Sequence, residues 1–347
     1  MIGAFNSLKG ILALMIFVHH LDLYKGGGSL AVAVFFMLGG FLSTLGYREK
    51  IMSSSFNYKN YLIGKAVKFY PMHWLLLLAA APLMFYGGHH LLKNLCILGI
   101  NAALLQSWIP VQAVYFSGNA VSWYLSDTLA FVAVFPFILR WMLSGLKQSK
   151  LLVVLGIAAI YILLWILLPQ DYTHRFFYIS PIFRVIDYMV GMAAALCYLE
   201  VKDNQRVKEY VSKHLQLLNL LACICFAALI AISLANEQVV LHSVVYMPIG
   251  IIMLIIIALT SGGILQMSLL QKFGAISFAF FLVHQMCIRY LQVVLGKLGY
   301  ESVFILAPLA FIITVFVSYF LTYTFDKKTS SWLKRKLLNR QSMTVQS

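Results

Sequence analysis

Long apolar runs recur along almost the whole chain, and they constrain its fold more than any other feature. About ten runs of roughly 17–23 residues could each cross a hydrocarbon core of about 30 Å as an α-helix. Runs of this length exclude an outer-membrane barrel, whose strands alternate apolar and polar residues. Of the 347 residues, 62% are hydrophobic and only 11% are charged, so the sequence predicts an all-α, polytopic integral membrane protein. The expected spans are residues 8–24, 30–47, 69–87, 122–142, 151–168, 184–200, 216–235, 243–261, 275–296 and 303–325.

Loop charge gives these helices an orientation. The net charge is +15, and alternate connecting segments are basic. Because cytoplasmic loops carry an excess of Lys and Arg, both termini are predicted to be cytoplasmic, in a multi-pass protein of the cell (inner) membrane. The same rule accounts for the positive charge, so no nucleic acid partner is expected. The basic segments are residues 48–68, 140–150, 201–215 and the tail after 325.

Two domains follow from this pattern. Residues 1–326 are expected to form the transmembrane domain, and residues 327–347 a short basic cytoplasmic tail on the lipids of the inner leaflet.

Residues 91–108 are fairly apolar, but a crossing there would move every later basic loop outside. We therefore interpret 91–108 as an interfacial or re-entrant segment on the outer side, which is tolerated where it lines a protein cavity.

The first predicted span carries ionisable residues towards both ends. Lys9 lies near its start, and His19 and His20 lie near its end. An ionisable residue inside a span costs about 2.5–3.5 kcal/mol by insertion scales unless it faces protein or water. The eleven-residue separation of Lys9 and His20 is about 1100° of rotation, within roughly 20° of three turns, and about 16 Å of rise. These two side chains therefore share one stripe, while His19 points elsewhere, to another helix or the outer interface.

Further polar residues fall into two levels. On the inner side, Lys65 and Lys68 share a helix face at i, i+3. With Lys9 they would suit a phosphate-rich ligand, although interfacial lysines also snorkel without binding anything. The outer level is less easily explained by packing alone, because several spans bring His or Asp to similar depths. Its members are His19, His20, Asp22, Asp127, Arg184 and Asp187. His284 lies mid-span, with Ser277 seven residues before it on the same face.

Each outer residue also has a structural interpretation. Arg184 and Asp187, at i, i+3, could form an ion pair, and His284 could be a hydrogen-bonded packing residue. Asp127 needs a partner at its depth, and a histidine is the expected one. The five cysteines fall mostly in apolar helices without metal-site spacing, so they are interpreted as small buried residues and no metal is expected.

Six segments, in order along nearly the whole chain, follow a known pattern. They are LKGILALMIFVHH (8–20), VFFMLGGFL (34–42), GKAVKFYPMHW (64–74), AVSWYLSDTLAF (120–131), FRVIDYMVG (183–191) and FGAISFAFFLVHQ (273–285). Together they resemble the membrane-bound acyltransferase family called acyltransferase family 3, typified by bacterial sugar O-acetyltransferases.

The resemblance extends to individual residues. Lys9 and His20 match the family's basic residue, ten residues, then histidine, in the first helix. Lys65 and Lys68 replace both arginines of RxxR-x-YP, a change that removes bidentate phosphate binding. Asp127 stands at the acidic position of WSLxxE.

Later segments match with more substitutions. Arg184 and Asp187 resemble FRxxEFxxG, and His284 is retained from GxxSYxxYLxH. Phe278 and Phe281 replace both tyrosines of that last pattern. The missing hydroxyls indicate a changed acceptor or packing around an unchanged chemistry.

The resemblance implies a membrane-bound O-acyltransferase. Its donor would be cytoplasmic acyl-CoA, with acetyl-CoA expected first, and its acceptor a hydroxyl on an extracytoplasmic glycan or lipid-linked saccharide. We expect Lys9, Lys65 and Lys68 to bind CoA phosphates and His20 to act as general base. Asp127 is expected to orient His20 or to stabilise its imidazolium. The acceptor hydroxyl could attack the thioester directly, or the acyl group could pass through an acyl-histidine intermediate, and the sequence does not distinguish these two routes.

Two other function classes compete with this interpretation. A transporter or exporter could use intramembrane His and Asp residues as a proton relay, although the internal repeats and broken helices of many transporters are not evident. A structural component of a polysaccharide assembly complex would bind no acyl-CoA. Acetyl-CoA binding to the purified protein separates these classes.

Overall fold

The computed structural model describes residues 2–85, 91–144, 156, 160–235 and 239–338, and no β-strand occurs within these ranges. The α-helices are α1 (Ile2–His19), α2 (Gly27–Met52), α3 (Tyr58–Phe85), α4 (Leu91–Ala102), α5 (Gln112–Tyr115), α6 (Trp123–Leu143), α7 (160–167), α8 (Gln170–Thr173), α9 (Pro181–Val201), α10 (Gln205–Lys213), α11 (Leu215–Ala235), α12 (Val239–Thr260), α13 (Ser268–Lys297), α14 (Val303–Phe320) and α15 (Lys327–Leu338). Short 3₁₀ turns at Gln106–Trp108, Ala120–Ser122 and Gly263–Gln266, and π-helical turns at His174–Ile179 and Leu321–Asp326, connect them.

The all-α, polytopic class predicted from the apolar runs is confirmed. Within the described residues, seven helices are long and apolar enough to cross a membrane. Gly3–His19 and Val245–Thr260 are apolar but shorter. The expected span at 151–168 lies partly outside the described residues.

Helix α1 differs from the expected span at both ends. It begins at Ile2 and ends at His19. The turn that follows its C-terminal end contains Asp22, which takes a positive φ of 58°. His20 therefore lies one residue beyond the helix. Its backbone N–H still donates to the carbonyl of Ile16 at 3.1 Å, so His20 remains on the last turn and on the Lys9 stripe.

A close contact between α1 and α13 sets the geometry of the site. A Cβ added to Gly274 of α13 would collide with the backbone carbonyl of Asn6 in α1. Ser7 also donates its hydroxyl hydrogen to the carbonyl of Leu265, 2.6 Å away. Because glycine permits this close approach, the two helices pack along their length and bring His20 towards His284.

The segment after α3 folds back along that helix. Helix α4 runs antiparallel to α3 and is tied to it at successive levels, and the chain then reverses at Leu104, which has a φ of 56°. Ser126 in α6 donates to the carbonyl of Leu104 at 2.6 Å, which fixes the reversal against the next helix. The bonds between the α4 segment and α3 are Asn94 Nδ2 to Met84 O (3.3 Å), His73 Nε2 to Asn101 O (2.7 Å), Trp74 Nε1 to Ala102 O (2.9 Å) and Tyr70 Oη to Ala103 O (3.1 Å).

The basic tail is part of the helix bundle as far as the structure describes it. Helix α14 continues through a π-helical turn into α15, giving one helical unit over Val303–Leu338. Helix α15 packs against α3, where Ser330 donates its hydroxyl hydrogen to the carbonyl of Val67 at 3.2 Å. The described part of the tail is therefore anchored to α3, and its position on the inner leaflet stays a prediction.

Candidate active site

Two cavities lie between α1, α2, α6 and α13. The inner cavity, of about 330 Å³, is lined by Lys9, Lys65 and Lys68. The outer cavity, of about 290 Å³, is lined by His19 and His20. The predicted basic and histidine levels therefore correspond to two separate cavities.

The inner cavity contains a fourth lysine that the sequence interpretation missed. Lys334 of α15 lines it beside Lys65 and Lys68. The sequence showed the tail to be basic but gave no signal that Lys334 would return to α3. The carboxylate of Asp326 is an electrostatic neighbour of Lys68, so the cavity keeps an excess of positive charge.

Aromatic rings hold two of these lysines. The Lys65 Nζ lies 4.0 Å from the centroid of the Tyr47 ring, and the Lys68 Nζ lies 5.8 Å from that of Phe69. Lys9 donates to Asn6 Oδ1 at 3.5 Å. Such cation–π contacts position an ammonium group while leaving its hydrogens available for an anion.

The outer cavity is lined by polar side chains from several helices. His174, Gln285 and Arg289 join His19 and His20 in its wall. His19 therefore lines the same cavity as His20, and its ring also packs against Gly28 of α2. A Cβ added to Gly28 would lie 2.5 Å from the His19 ring, so glycine at this position leaves space for the ring.

Hydrogen bonds assign the tautomers of the paired histidines. The Nδ1 of His284 lies 2.7 Å from the carbonyl of Phe281, so it carries a proton and donates it, which leaves Nε2 as an acceptor. The Nδ1 of His20 lies 2.8 Å from the carbonyl of Ile16 and 3.3 Å from the Nε2 of His284. The proton of neutral His20 is therefore on Nδ1, and its Nε2 lone pair remains available.

Asp127 is not joined to His20 by a hydrogen bond within the described residues, and its carboxylate is fully buried. Its polar neighbours are Ser107, from the segment that follows α4, and Arg184. The side chain that contacts His20 directly is His284, so a catalytic role for Asp127 stays a prediction.

The Arg184–Asp187 ion pair is confirmed. The Arg184 Nη1 lies 2.8 Å from Asp187 Oδ2, and both side chains are 2% exposed. The guanidinium also lies over the rings of Phe36 and Tyr178, at 5.1 and 5.5 Å from their centroids. Neither residue lines the two cavities, so the pair joins α9 to the surrounding bundle.

Ser277 and His284 are separated along α13 by the wall between the cavities. Ser277 lines the inner cavity and donates its hydroxyl hydrogen to the carbonyl of Gly274 at 2.8 Å. His284 is fully buried behind His20. Phe281, between them, lines both cavities.

Three residues of the outer cavity were not singled out from the sequence. Arg289 and Gln285 follow His284 on α13, at i+5 and i+1, and helical spacing could have placed them near the same level. His174 lies in an irregular π-helical turn, where periodicity gives no signal. Burial, with a smaller contribution from the charge of Arg175, lowers the pKa of His174, so this ring is neutral at neutral pH.

Comparisons with known proteins identify the family of this chain. A family model described as an acyltransferase domain matches residues 2–323. The acyltransferase MdmB of Streptomyces mycarofaciens is 27% identical over 298 residues, covering 79% of this chain and 72% of that protein. No solved structure matches. The match over nearly the whole chain shows that this membrane protein belongs to the acyltransferase domain family.

Proposed function

We propose that the protein transfers an acyl group, acetyl first, from cytoplasmic acyl-CoA to a hydroxyl of an extracytoplasmic glycan or glycolipid at the inner membrane. His20 is the general base. One observation carries the proposal: a lysine-lined inner cavity and a histidine-lined outer cavity meet at Phe281.

The inner cavity suits the donor. CoA is rich in phosphate, and ammonium groups bind phosphate oxygens through charge-assisted hydrogen bonds. Lys65, Lys68 and Lys334 are brought there from two helices that are far apart in sequence. The rise from Lys9 to His20 is about 16 Å, a length over which the extended pantetheine arm can carry the thioester towards the outer level.

The outer cavity suits the acceptor. The Nε2 of His20 carries the lone pair and takes the proton from the acceptor hydroxyl as its oxygen attacks the thioester carbon. When the tetrahedral intermediate collapses, the carbon–sulfur bond breaks and the CoA sulfur receives the proton from His20. The Oε1 of Gln285 is buried with no protein partner within the described residues, and it can accept a hydrogen bond from the acceptor.

The test uses the purified full chain in detergent or liposomes. Acetyl-CoA binding is measured by calorimetry, and acetyl transfer to an oligosaccharide or lipid-linked saccharide is followed by mass spectrometry. We expect His20→Ala to retain acetyl-CoA binding and to lose transfer by about 10²–10⁴-fold, the usual contribution of a general base. Near-normal transfer by this variant contradicts the mechanism.

The competing classes give different results in the same assay. A polysaccharide exporter or a structural component predicts no saturable acetyl-CoA binding to the wild-type protein. Proton-coupled transport through His20 and His284 predicts solute flux into liposomes that does not require acyl-CoA.

A further inference from the structure

Phe281 lies between the two cavities. It is the one described residue that lines both of them. Its ring centroid lies 5.1 Å from that of Tyr124 and 6.2 Å from that of Phe35, and the Phe281 side chain is 6% exposed. Three rings from α2, α6 and α13 therefore form a partition between the lysine level and the histidine level.

Neighbouring residues hold the rings of the partition in place. Tyr124 stacks on Phe36, with ring centroids 4.5 Å apart and an interplanar angle of 15°. On the other side, the backbone carbonyl of Phe281 accepts the 2.7 Å hydrogen bond from His284. The Phe281 ring therefore lies about one helical turn before His284 on α13, close to the pair formed by His20 and His284.

We propose that Phe281 is a specificity-determining residue, whose ring borders the space beside His20 that the acyl group occupies and limits transfer to short acyl groups. This inference rests on the proposed function, because it assumes that a CoA thioester enters from the inner cavity and reacts beside His20. An acetyl group adds a single methyl beyond the thioester carbon. A longer chain must displace the packed ring, and close-packed interiors resist added methylenes.

The chemistry of the ring is consistent with this role. The Phe281 side chain is apolar, so it limits the size of the acyl group and forms no hydrogen bond with it. A pocket of this type discriminates by about 10–200-fold for each methylene. A smaller side chain at 281 should therefore change chain-length preference more than it changes donor binding.

The experiment measures kcat/KM for acetyl-, butyryl- and hexanoyl-CoA with Phe281→Ala and the milder Phe281→Leu. The matched controls are Phe41→Ala and Phe41→Leu, since Phe41 is fully buried against Phe5 and lines neither cavity. We expect the butyryl-to-acetyl ratio of kcat/KM to rise by about tenfold or more in the Phe281 variants and to stay at the wild-type value in the controls. Phe281→Leu keeps the test valid if the alanine variant does not fold.

Three results would overturn the inference, and the third is distinguishable from the first two. A wild-type protein that transfers acetyl while the Phe281 variants keep its chain-length ratio shows that the ring does not select the acyl group. The same conclusion follows if the Phe41 controls shift the ratio equally. A wild-type protein that neither binds nor uses any acyl-CoA removes the proposed function, and the inference with it.

Discussion

The contact between His284 and His20 leads to a quantitative prediction. The Nε2 of His284 accepts a hydrogen bond from the Nδ1 of His20 across 3.3 Å, while the carbonyl of Ile16 accepts from the same nitrogen at 2.8 Å. Loss of His284 therefore removes one of two acceptors. The tautomer of His20 survives, because Ile16 still holds the Nδ1 proton.

The magnitude follows from the charge that develops on His20 during proton transfer. A hydrogen bond to a charged group contributes about 1.5–3 kcal/mol, and about 1.36 kcal/mol is a tenfold change in rate. We expect His284→Asn to lower kcat/KM for acyl transfer by about 10–150-fold. The asparagine can still donate to the carbonyl of Phe281, as His284 does, but it cannot reach His20.

A matched variant separates this effect from lost packing. His284→Gln keeps an acceptor near the position of Nε2, and it should retain most of the activity that His284→Asn loses. In a His20→Ala background, His284→Asn should cause little further loss, since residues acting as a unit are strongly non-additive. The assay is steady-state transfer of acetyl from acetyl-CoA by protein reconstituted in liposomes.

Two outcomes would refute the reasoning. If His284→Asn loses as much activity as His20→Ala and His284→Gln does not recover it, His284 would itself be the base. If His284→Asn is as active as the wild type, the 3.3 Å contact has no part in catalysis.

The remaining predictions concern binding and stability. Lys334→Glu should weaken acetyl-CoA binding about tenfold or more by calorimetry, whereas Lys336→Glu, whose ammonium group lies over the Trp332 ring outside the cavity, should leave the dissociation constant unchanged. Asp187→Ala should cost about 3–5 kcal/mol and lower the melting temperature in detergent, because it leaves Arg184 buried without that carboxylate; an unchanged melting temperature contradicts this. Gly274→Val should separate α1 from α13 and lower transfer without altering any residue that lines a cavity, and full activity would exclude this role for the close contact.

The sequence by itself determined what depends on local periodicity and charge. Apolar run lengths predicted the membrane helices, and alternating basic loops predict an orientation for them. Helical spacing placed Lys9 and His20 on one stripe, and it put Lys65 and Lys68 on one face. These relations involve residues a few turns apart on one helix, so no knowledge of packing was needed.

The tertiary structure decided which helices meet. His284, distant in sequence, is the neighbour of His20 because the close approach at Gly274 brings α13 against α1. Lys334 reaches the inner cavity because α15 returns to α3. Asp127 lies beside Ser107 and Arg184 instead of His20, although its depth along the helix was predicted from the sequence.

The physical reason lies in the membrane. In a soluble bundle, an apolar stripe on each helix indicates which face is buried. Here lipid tails are as apolar as the core, so a helix is hydrophobic on every side, and the pattern gives no preferred face. Small residues and a few polar contacts determine which helices pack together, and these pairings are known only once the helices are assembled.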